Sequence, residues 1–389
     1  MPSPAAAAVR DVDFDVTLRQ YKVAIEVFVV GTLCALGLAG NLLSIVVLGR
    51  DHSIRRTTGF MLQMLAVADA VYLVACLSYQ TLNCVVKFTD WLPADVGRRW
   101  PYVEAYAWPL ASVAQTATVW LVVVVTADRY IAICHPLHAA HYSTMTRVRR
   151  AVATVWIFAA SYNLPRFFER VVDVSVAANS TTPDVTSSEL VAVTSSRPET
   201  VVSVQRTALR EHPVYVLVYK TCFFFVVRFL IPFAALAFFN QRLIRAMRAS
   251  DHIRLRSTRH VGGVCKERQH TRTLVVVVVV FVVCELPDLT LRAWISLYRY
   301  APTIVSFPRR QLLYVNIASN LLLTVNSCIN FVIYCFMGRR FRAILLRMVD
   351  CGGDESPRHR QESRPFAPKV LFLSRRTLRT TTKPRRQTF

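Results

Sequence analysis

The sequence predicts an all-α integral membrane protein, a seven-transmembrane helix bundle followed by a short amphipathic helix eight. The 389-residue chain is 53% hydrophobic and only 18% charged, which is too apolar for one soluble domain of ordinary composition. Seven apolar stretches are predicted to cross roughly 30 Å of hydrocarbon as helices. They are Val23–Leu48, Phe60–Val85, Val103–Ile133, Ala151–Leu164, Val214–Phe239, Thr273–Ile295 and Leu312–Met337, the fourth being the weakest.

The local sequence supports a helical interpretation of each span. Runs of valine at 122–125 and 275–280 would favour strands in a soluble protein. Both lie inside spans of helix length, whose backbone must satisfy its own hydrogen bonds in lipid, so we interpret them as helix. Arginines at 242, 245 and 248 recur at helical spacing and predict that the fifth helix continues past the membrane. The basic, amphipathic segment Gly338–Arg347 predicts helix eight on the inner membrane surface.

The distribution of charge predicts the topology. The net charge of +23 is concentrated after the first, third and fifth helices and in the tail. Positively charged loops remain in the cytoplasm. We therefore expect an extracellular N-terminus at 1–22, a seven-helix transmembrane domain at 23–337, and a cytoplasmic helix eight and tail at 338–389, in the plasma membrane. Because topology and anionic lipid account for the cations, nucleic acid is not expected as a partner.

Sequence signals for processing are few. Residues 1–21 lack the apolar core of a signal peptide, so the first helix is expected to insert as its own signal. The glycosylation sequon at Asn179 lies between the fourth and fifth helices, on the expected outer side. The ten cysteines show neither a disulfide framework nor metal-ligand spacing. Cys351, beyond helix eight, is a candidate for palmitoylation.

Two charged positions inside the apolar spans predict function. Asp128-Arg129-Tyr130 ends the third span, and a charged pair next to hydrocarbon is costly and is a functional-site hypothesis by default. Asp69 lies in the middle of the second span, where an uncompensated carboxylate needs a cation, a proton or several hydrogen-bond donors. The obvious candidate partners are Asn41, Thr118, Asn326, Ser327 and Asn330.

These features resemble the rhodopsin-like (class A) G-protein-coupled receptors over residues 23–347. The other helices carry matching motifs, namely Gly40-Asn41, Leu65-Ala66-Val67-Ala68-Asp69, Trp156, Pro232, Cys284-Glu285-Leu286-Pro287 and Asn330-Phe331-Val332-Ile333-Tyr334. The resemblance implies a receptor without enzymatic activity and with heterotrimeric G protein, arrestin and receptor kinase as partners. It also implies a G-protein switch formed by Asp128, Arg129, Tyr130, Glu267, Asn330 and Tyr334.

The resemblance implies an allosteric sodium ion as well. In that family the cluster around the second-helix aspartate holds sodium and favours the inactive state; the matching positions are Asp69, Thr118, Asn326, Ser327 and Asn330. A polar cluster that only joins helices is the alternative. No other cofactor is expected.

Arg129 needs a counter-charge in the inactive state. Asp128 is adjacent, and Glu267 lies about 30 Å before Pro287 along the sixth helix, at its cytoplasmic end. A pair between Arg129 and Glu267 would join the third and sixth helices until an agonist favours the open state. Alternatively, Glu267 is a solvated neighbour of Lys266 and Arg268.

Within the family, the chain is similar to receptors for FMRFamide-related neuropeptides. The similarity lies in segments 161–169, 114–120, 230–233 and 326–334, including Phe331 in place of the family's usual proline. Three features depart from the family: both partners of the usual extracellular disulfide are missing, Glu285 occupies the position of the tryptophan toggle, and Asn240 replaces a tyrosine.

A ligand pocket is predicted around two carboxylates of the sixth helix. Glu285 and Asp288 share one helix face and repel each other unless a cation or a proton lies between them. The guanidinium of an Arg-Phe-amide peptide is a natural partner. Amide contacts and an aromatic wall would come from Gln115, Trp108, Trp294, Tyr298 and Tyr314. Alternatively, the carboxylates face water and the aromatic residues anchor the membrane interface.

Other protein classes fit less well. The seventh span has no lysine for a retinal Schiff base, which excludes an opsin. Neither the internal repeats of a transporter nor a catalytic constellation is evident. A receptor-like protein with altered or lost G-protein coupling, acting by interaction only, remains the alternative function because of Glu285 and Asn240.

Overall fold

The computed structural model describes residues 17, 19–51, 56–89, 91–135, 143–176, 200–254, 262–300 and 309–350. The described residues form seven long helices and a shorter eighth. These are α1 (Arg19–Arg50), α2 (Arg56–Phe88), α3 (Ala94–Cys134), α4 (Met145–Asn163), α5 (the consecutive segments Tyr215–Phe223, Phe225–Leu230 and Ile231–Arg254), α6 (Gly262–Tyr300), α7 (Arg309–Met337) and α8 (Arg339–Asp350).

Five of the seven predicted spans lie entirely within these helices, and the other two exceed them by one residue each, Leu164 after α4 and Val214 before α5. Five helices of the described residues are long and apolar enough to cross a membrane: α1, α2, α3, α5 and α7. The apolar part of α4 is short because its first turns carry arginines at 147, 149 and 150, and α6 carries charged residues in its apolar half. The predicted continuation of α5 is confirmed to Arg254.

Three helices contain widened turns with i→i+5 hydrogen bonding. They lie at Val23–Val30 in α1, at Leu77–Leu82 in α2, and at Tyr215–Phe223 and Phe225–Leu230 in α5. Such turns are uncommon and often mark functional positions. The widened part of α5 ends next to Pro232, whose missing N–H interrupts the hydrogen-bond ladder. Sequence periodicity does not reveal these turns, because the hydrophobic pattern hardly changes over one turn.

The core lies where α1, α2, α3 and α7 meet. Buried residues from all four helices form one hydrophobic cluster, which includes Cys34, Tyr72, Ala114 and Leu323. Small residues permit the close approach of α1 to α7: a Cβ atom on Gly40 would lie 3.0 Å from the Phe331 ring. The family-like Gly40 therefore has a packing reason in this chain.

A β-hairpin connects α4 to α5. A short 3₁₀ segment at Leu164–Phe168 follows α4, and then strand β1 (Arg170–Val176) pairs antiparallel with strand β2 (Thr200–Arg206). The register places Arg170 opposite Arg206. The sequence analysis did not predict these strands. We call the end of the bundle that carries this hairpin the hairpin end.

Helix α8 follows α7 through Gly338. A Cβ atom at Gly338 would lie 2.6 Å from the Tyr334 carbonyl oxygen, so a side chain does not fit in this turn. Phe341 is buried and packs against Phe331 and Tyr334, with ring centroids 5.9 and 5.8 Å apart. The prediction of helix eight is thus confirmed, with bounds shifted toward the C-terminus.

Candidate functional site

A buried carboxylate lies at the centre of the bundle. Asp69 on α2 is fully buried and accepts two side-chain hydrogen bonds. Thr118 on α3 donates to Oδ1 at 3.2 Å, and Asn330 on α7 donates to Oδ2 at 2.8 Å. Two of the predicted partners therefore bind Asp69 directly, and the carboxylate connects three helices.

The other predicted members of this cluster are buried on α1 and α7. Asn41 donates through Nδ2 to the Ser327 carbonyl oxygen at 2.9 Å, and Asn326 and Ser327 are buried. The Oδ1 atom of Asn41 has no hydrogen-bond partner among the described residues. One carboxylate surrounded by hydroxyl and amide oxygens is the donor set that hard cations prefer, so the residues present fit a small ion such as sodium.

Arg129 is held in place near the far end of α3. Its side chain is 3% exposed, and its Nη2 atom pairs with Asp128 Oδ2 at 2.7 Å and also donates to the Thr58 hydroxyl on α2. Ser143 donates to the second Asp128 oxygen at 2.7 Å. Asp128 is thus the counter-charge of Arg129 in this conformation. The Glu267 side chain, the second predicted partner, lies outside the described residues.

Two further switch residues, Tyr130 and Tyr334, have different surroundings. Tyr130 lies against Phe239 of α5, with ring centroids 5.4 Å apart, and its hydroxyl is 3.1 Å from His135 Nε2. Tyr334 is buried, and neither its hydroxyl nor Asn240 Oδ1 has a hydrogen-bond partner among the described residues. Within the described part of the chain, buried polar atoms of α3, α5 and α7 thus lack hydrogen-bond partners at the Arg129 end of the helices. They are available to form hydrogen bonds in a second arrangement of these helices.

A cavity of about 430 Å³ opens near the hairpin end. Helices α1, α2, α3, α6 and α7 and strand β1 contribute to its wall. Two of the predicted ligand residues on α3, Trp108 and Gln115, line it, as does Asp288 on α6. Charged and amide side chains contribute much of the remaining lining, including Lys22, Glu26, Arg170, Arg292, Asn316 and Asn320. Most ligand sites are predominantly apolar, so this wall favours a charged, polar ligand.

Glu285 is buried at the floor of this region and is paired within the protein. Arg228 on α5 places Nη2 3.4 Å from Glu285 Oε2, and both side chains are almost fully buried. Gln115 joins the pair by donating to Glu285 Oε1 at 3.4 Å and accepting from Arg228 Nη1 at 3.2 Å. These three residues, which we call the core triad, connect α3, α5 and α6 at the position of the family's tryptophan toggle.

Asp288 also has an arginine partner. Arg292, one turn later on α6, donates through Nε to Asp288 Oδ2 at 2.7 Å, and its guanidinium lies 4.9 Å from the Phe224 ring centroid. The cations expected near the two carboxylates are thus supplied by the protein itself. Sequence reasoning missed both arginines, although Arg228 is a charged residue within an apolar span and should have been treated as a functional candidate.

The predicted aromatic wall is only partly assembled. Trp108 lies beneath two arginines, with the guanidinium carbons of Arg166 and Arg170 5.1 and 5.5 Å from its ring centroid. Trp294 and Tyr298 are 41% and 49% exposed, and the described cavity wall does not include them. Tyr314 packs edge-to-face on Tyr21, with centroids 5.0 Å apart. Helix periodicity alone did not show which face of α6 points inward.

Ion pairs connect the hairpin to the helices in the region where the family has its disulfide. The eight cysteines that the structure describes are all unbridged. Instead, Glu169 is buried beside Lys220 at 3.1 Å and accepts from the Tyr215 hydroxyl at 2.8 Å, both on α5. Arg170 pairs with Glu104 on α3 at 3.4 Å. These contacts position the hairpin without a covalent link.

Comparison with known families decides the identity of the bundle. Residues 40–334 match the model of the 7 transmembrane receptor (rhodopsin family). The chain belongs to this family. It is therefore a multi-pass membrane receptor and not an enzyme, as the sequence predicts.

Individual relatives of this receptor have names that refer to peptides. An FMRFamide receptor of Drosophila melanogaster is 27% identical over 83% of this chain and 54% of its own length. The FMRFamide peptide receptor frpr-18 of Caenorhabditis elegans is 26% identical over 81% of this chain and 67% of its own. The Allatostatin-A receptor of Bombyx mori is 24% identical over 82% of this chain and 78% of its own. The chain thus spans about half the length of the Drosophila relative.

Two further predicted sites lie outside the described residues. They are the sequon asparagine Asn179 and the palmitoylation candidate Cys351. Both stay predictions.

Proposed function

We propose that this receptor binds an extracellular amidated neuropeptide of the FMRFamide, Arg-Phe-amide type and responds by activating a heterotrimeric G protein. The observation that carries the proposal is the charged cavity near the hairpin end, which suits a peptide better than an apolar ligand. The names of the insect and nematode relatives support the same ligand class.

The proposed orientation has the hairpin end outside the cell and the N-terminus extracellular. It is supported by the arginines that follow α1 and lie on α4 and α5, which are grouped at the Arg129 end of the helices. The peptide cavity would then open to the extracellular side, and Arg129 would face the cytoplasm and the G protein. Arrestin and a receptor kinase are further proposed partners at that surface.

The arginine of the peptide is proposed to approach Asp288 rather than Glu285. Asp288 lines the cavity, whereas Glu285 is paired with Arg228 inside the core triad. A peptide guanidinium would have to replace Arg292, whose side chain is 37% exposed. The carboxylate would keep one cationic partner throughout, so the exchange avoids leaving a buried charge unpaired.

Activation is proposed to proceed by opening of α6. The core triad holds α6 against α3 and α5, and the Arg129–Asp128 pair keeps Arg129 inside the bundle. A ligand that binds the open arrangement more tightly shifts the population toward it. Arg129 would then contact the G protein.

A sodium ion is proposed to favour the closed arrangement. Asp69, Thr118, Ser327 and Asn330 would hold it, with Asn326 adjacent, and it would supply a counter-charge to the buried carboxylate. The rest of the cluster acts without the ion, because Thr118 and Asn330 already connect α3 and α7 to Asp69 on α2.

The proposal is tested by expressing the receptor in cells and screening amidated peptides for receptor-dependent G-protein activation. Peptides ending in Arg-Phe-amide are expected to activate, and their free-acid and citrulline analogues are expected to be much weaker. Activation that is equally strong with citrulline in place of arginine would contradict the proposed role of Asp288.

The core triad also favours a second candidate function. A buried ion pair at the toggle position opposes the separation of α5 from α6, as expected for a receptor-like protein that acts by interaction and has lost coupling. Peptide binding without G-protein activation in the same screen would support this alternative.

A further inference from the structure

A second cavity of about 420 Å³ lies at the hairpin end and is strongly cationic. The end of α2, the first part of α3, strand β2 and the following helical turn form its wall together with the first residue of β1. Four cationic side chains and one carboxylate line it: Lys87, Arg170, Arg206, Arg210 and Glu104. We call this cavity the cationic cleft.

The single carboxylate of the cleft already has two partners. Glu104 accepts from Lys87 at 2.7 Å and pairs with Arg170 at 3.4 Å. Arg206 and Arg210 have no ion-pair partner among the described residues. Two guanidinium groups therefore remain for an additional anion, and guanidinium groups bind carboxylates with well-defined geometry.

The surroundings of Arg210 are unfavourable for its charge. Burial lowers the pKa of Arg210, and the neighbouring cations Arg170 and Arg206 lower it further, while Glu169 and Glu211 act in the opposite direction. An anion in the cleft would offset both the desolvation and the repulsion between the arginines. This electrostatic argument agrees with the geometry of the cavity.

Arg170 connects the cationic cleft with the proposed peptide cavity. Its side chain lines both. Trp108 and Glu104 hold the guanidinium from the α3 side, and the hairpin register places Arg170 opposite Arg206. The two cavities are therefore neighbours that share the Arg170 side chain as part of their walls.

We propose that the cationic cleft is a specificity subsite for an acidic side chain of the peptide ligand, located before the amidated segment. This proposal rests on the proposed function, since it assigns a second contact of the same ligand. The position of the cleft beside the peptide cavity, with Arg170 lining both, favours a peptide carboxylate over a free anion. The amidated end would occupy the inner cavity and the acidic residue would pair with Arg206 and Arg210.

The test compares two probes on the full-length receptor in nanodiscs. They are Asp-Asp-Phe-Met-Arg-Phe-amide and its Asn-Asn counterpart, which differ only in charge. The acidic probe is expected to bind on the order of tenfold more tightly, as suits a charge-assisted contact. The combined change Arg206→Gln and Arg210→Gln is expected to remove this difference and leave the affinity of the Asn-Asn probe unchanged.

Two matched variants separate the subsite from a general charge effect. Arg99→Gln removes an exposed cation on the first part of α3, outside the cleft, and is expected to preserve the difference between the probes. Arg206→Lys keeps the positive charge and is expected to retain part of the difference in affinity between the two probes. Equal affinity of the two probes for the unmodified receptor, or loss of the difference with Arg99→Gln, would overturn the proposal.

An experiment without peptide distinguishes failure of the cationic cleft from failure of the proposed peptide function. If neither probe binds, the peptide assignment is wrong, and the cleft is then tested with citrate against sodium chloride at equal ionic strength. Citrate is expected to raise the unfolding temperature of the unmodified receptor more than that of the double glutamine variant. Equal shifts would show that the cleft binds no anion.

Discussion

Arg129 is buried inside the bundle, where neighbouring polar side chains compensate its charge. Asp128 supplies the counter-charge and the Thr58 hydroxyl accepts a further hydrogen bond, so the guanidinium is positioned rather than exposed. These contacts also show how the site would change if the Arg129 side chain were removed. Asp128 would retain Ser143 as a donor, which limits the damage to the fold.

Arg129→Ala is therefore expected to abolish G-protein activation and leave peptide affinity within about threefold, since the residue lies roughly 30 Å from the hairpin end along α3. Peptide binding and nucleotide exchange are measured on the same membranes. Arg149→Ala, which removes an exposed arginine of α4, is the control and should signal normally. Unchanged signalling by Arg129→Ala would rule out the proposed switch.

Asp69→Asn is expected to abolish any effect of sodium on agonist affinity. The substitution keeps the size of the side chain and removes the negative charge that an ion would need. Agonist affinity is measured in sodium chloride and in N-methylglucamine chloride at equal ionic strength. Persistent sodium sensitivity in the variant would place the ion elsewhere.

The sequence predicted the partners of Asp69 well and those of the α6 carboxylates poorly. Thr118 and Asn330 follow from the family motifs and from the cost of a buried charge. Arg228 and Arg292 did not follow, although both are charged residues within predicted apolar spans and pair with Glu285 and Asp288 in the structure. A buried charge is first paired within its own chain.

The core triad determines how α6 is held. Its three members come from α3, α5 and α6, and the Arg228–Glu285 pair is almost fully buried. Breaking one side of such a pair costs about 3–5 kcal/mol because the other charge stays buried and unpaired. The closed position of α6 should depend on this contact.

Glu285→Gln is expected to raise the rate at which the receptor stimulates nucleotide exchange on a G protein in the absence of agonist. It is also expected to lower the unfolding temperature of the receptor. The double change Arg228→Gln and Glu285→Gln removes both charges, so it should recover thermal stability while keeping the raised basal exchange. Basal nucleotide exchange is measured with purified receptor and G protein, and the unfolding temperature is measured with purified receptor. If basal exchange stays at the unmodified level in both variants, the triad does not restrain α6.

Glycines on α1 set the distance between α1 and its neighbours. A Cβ atom on Gly37 would collide with the Cys328 sulfur on α7 and lie 2.9 Å from Leu73 on α2. Gly37→Ala is expected to destabilise the receptor by about 1–3 kcal/mol through overpacking. Gly97→Ala on α3 meets nothing within 4 Å and should be neutral or slightly stabilising, since alanine favours helix.

The stabilities of Gly37→Ala and Gly97→Ala are compared by thermal unfolding in the same detergent. Equal unfolding temperatures would mean that α1 moves away from α7 at little cost, and that the close contact seen at Gly37 is not required.

Element by element, the long apolar helices could be predicted because hydrophobic length is a strong signal in membrane proteins. The hairpin could not, because its two short strands lie on either side of a polar segment and their position depends on contacts with α3 and α5. Glu169, Lys220 and Arg170 make those contacts, and their separation along the chain hides the relation.

At the scale of the whole molecule, the receptor has two polar regions along one helix. Trp108 and Gln115 in the middle part of α3 border the charged cavity, and Asp128 and Arg129 near its end form the second network. The buried Asp69 cluster lies between them and connects α2, α3 and α7. This arrangement suits transmission between an extracellular ligand and a cytoplasmic partner.

The central claim is that peptide binding at the hairpin end drives G-protein activation at the Arg129 end. It is tested most directly by agonist-dependent nucleotide exchange on a panel of purified heterotrimeric G proteins, with the receptor in nanodiscs and the strongest-binding amidated peptide from the screen. We predict exchange by at least one G protein that rises with peptide occupancy and is lost with Arg129→Ala. Saturating peptide binding with no exchange by any G protein would contradict the claim.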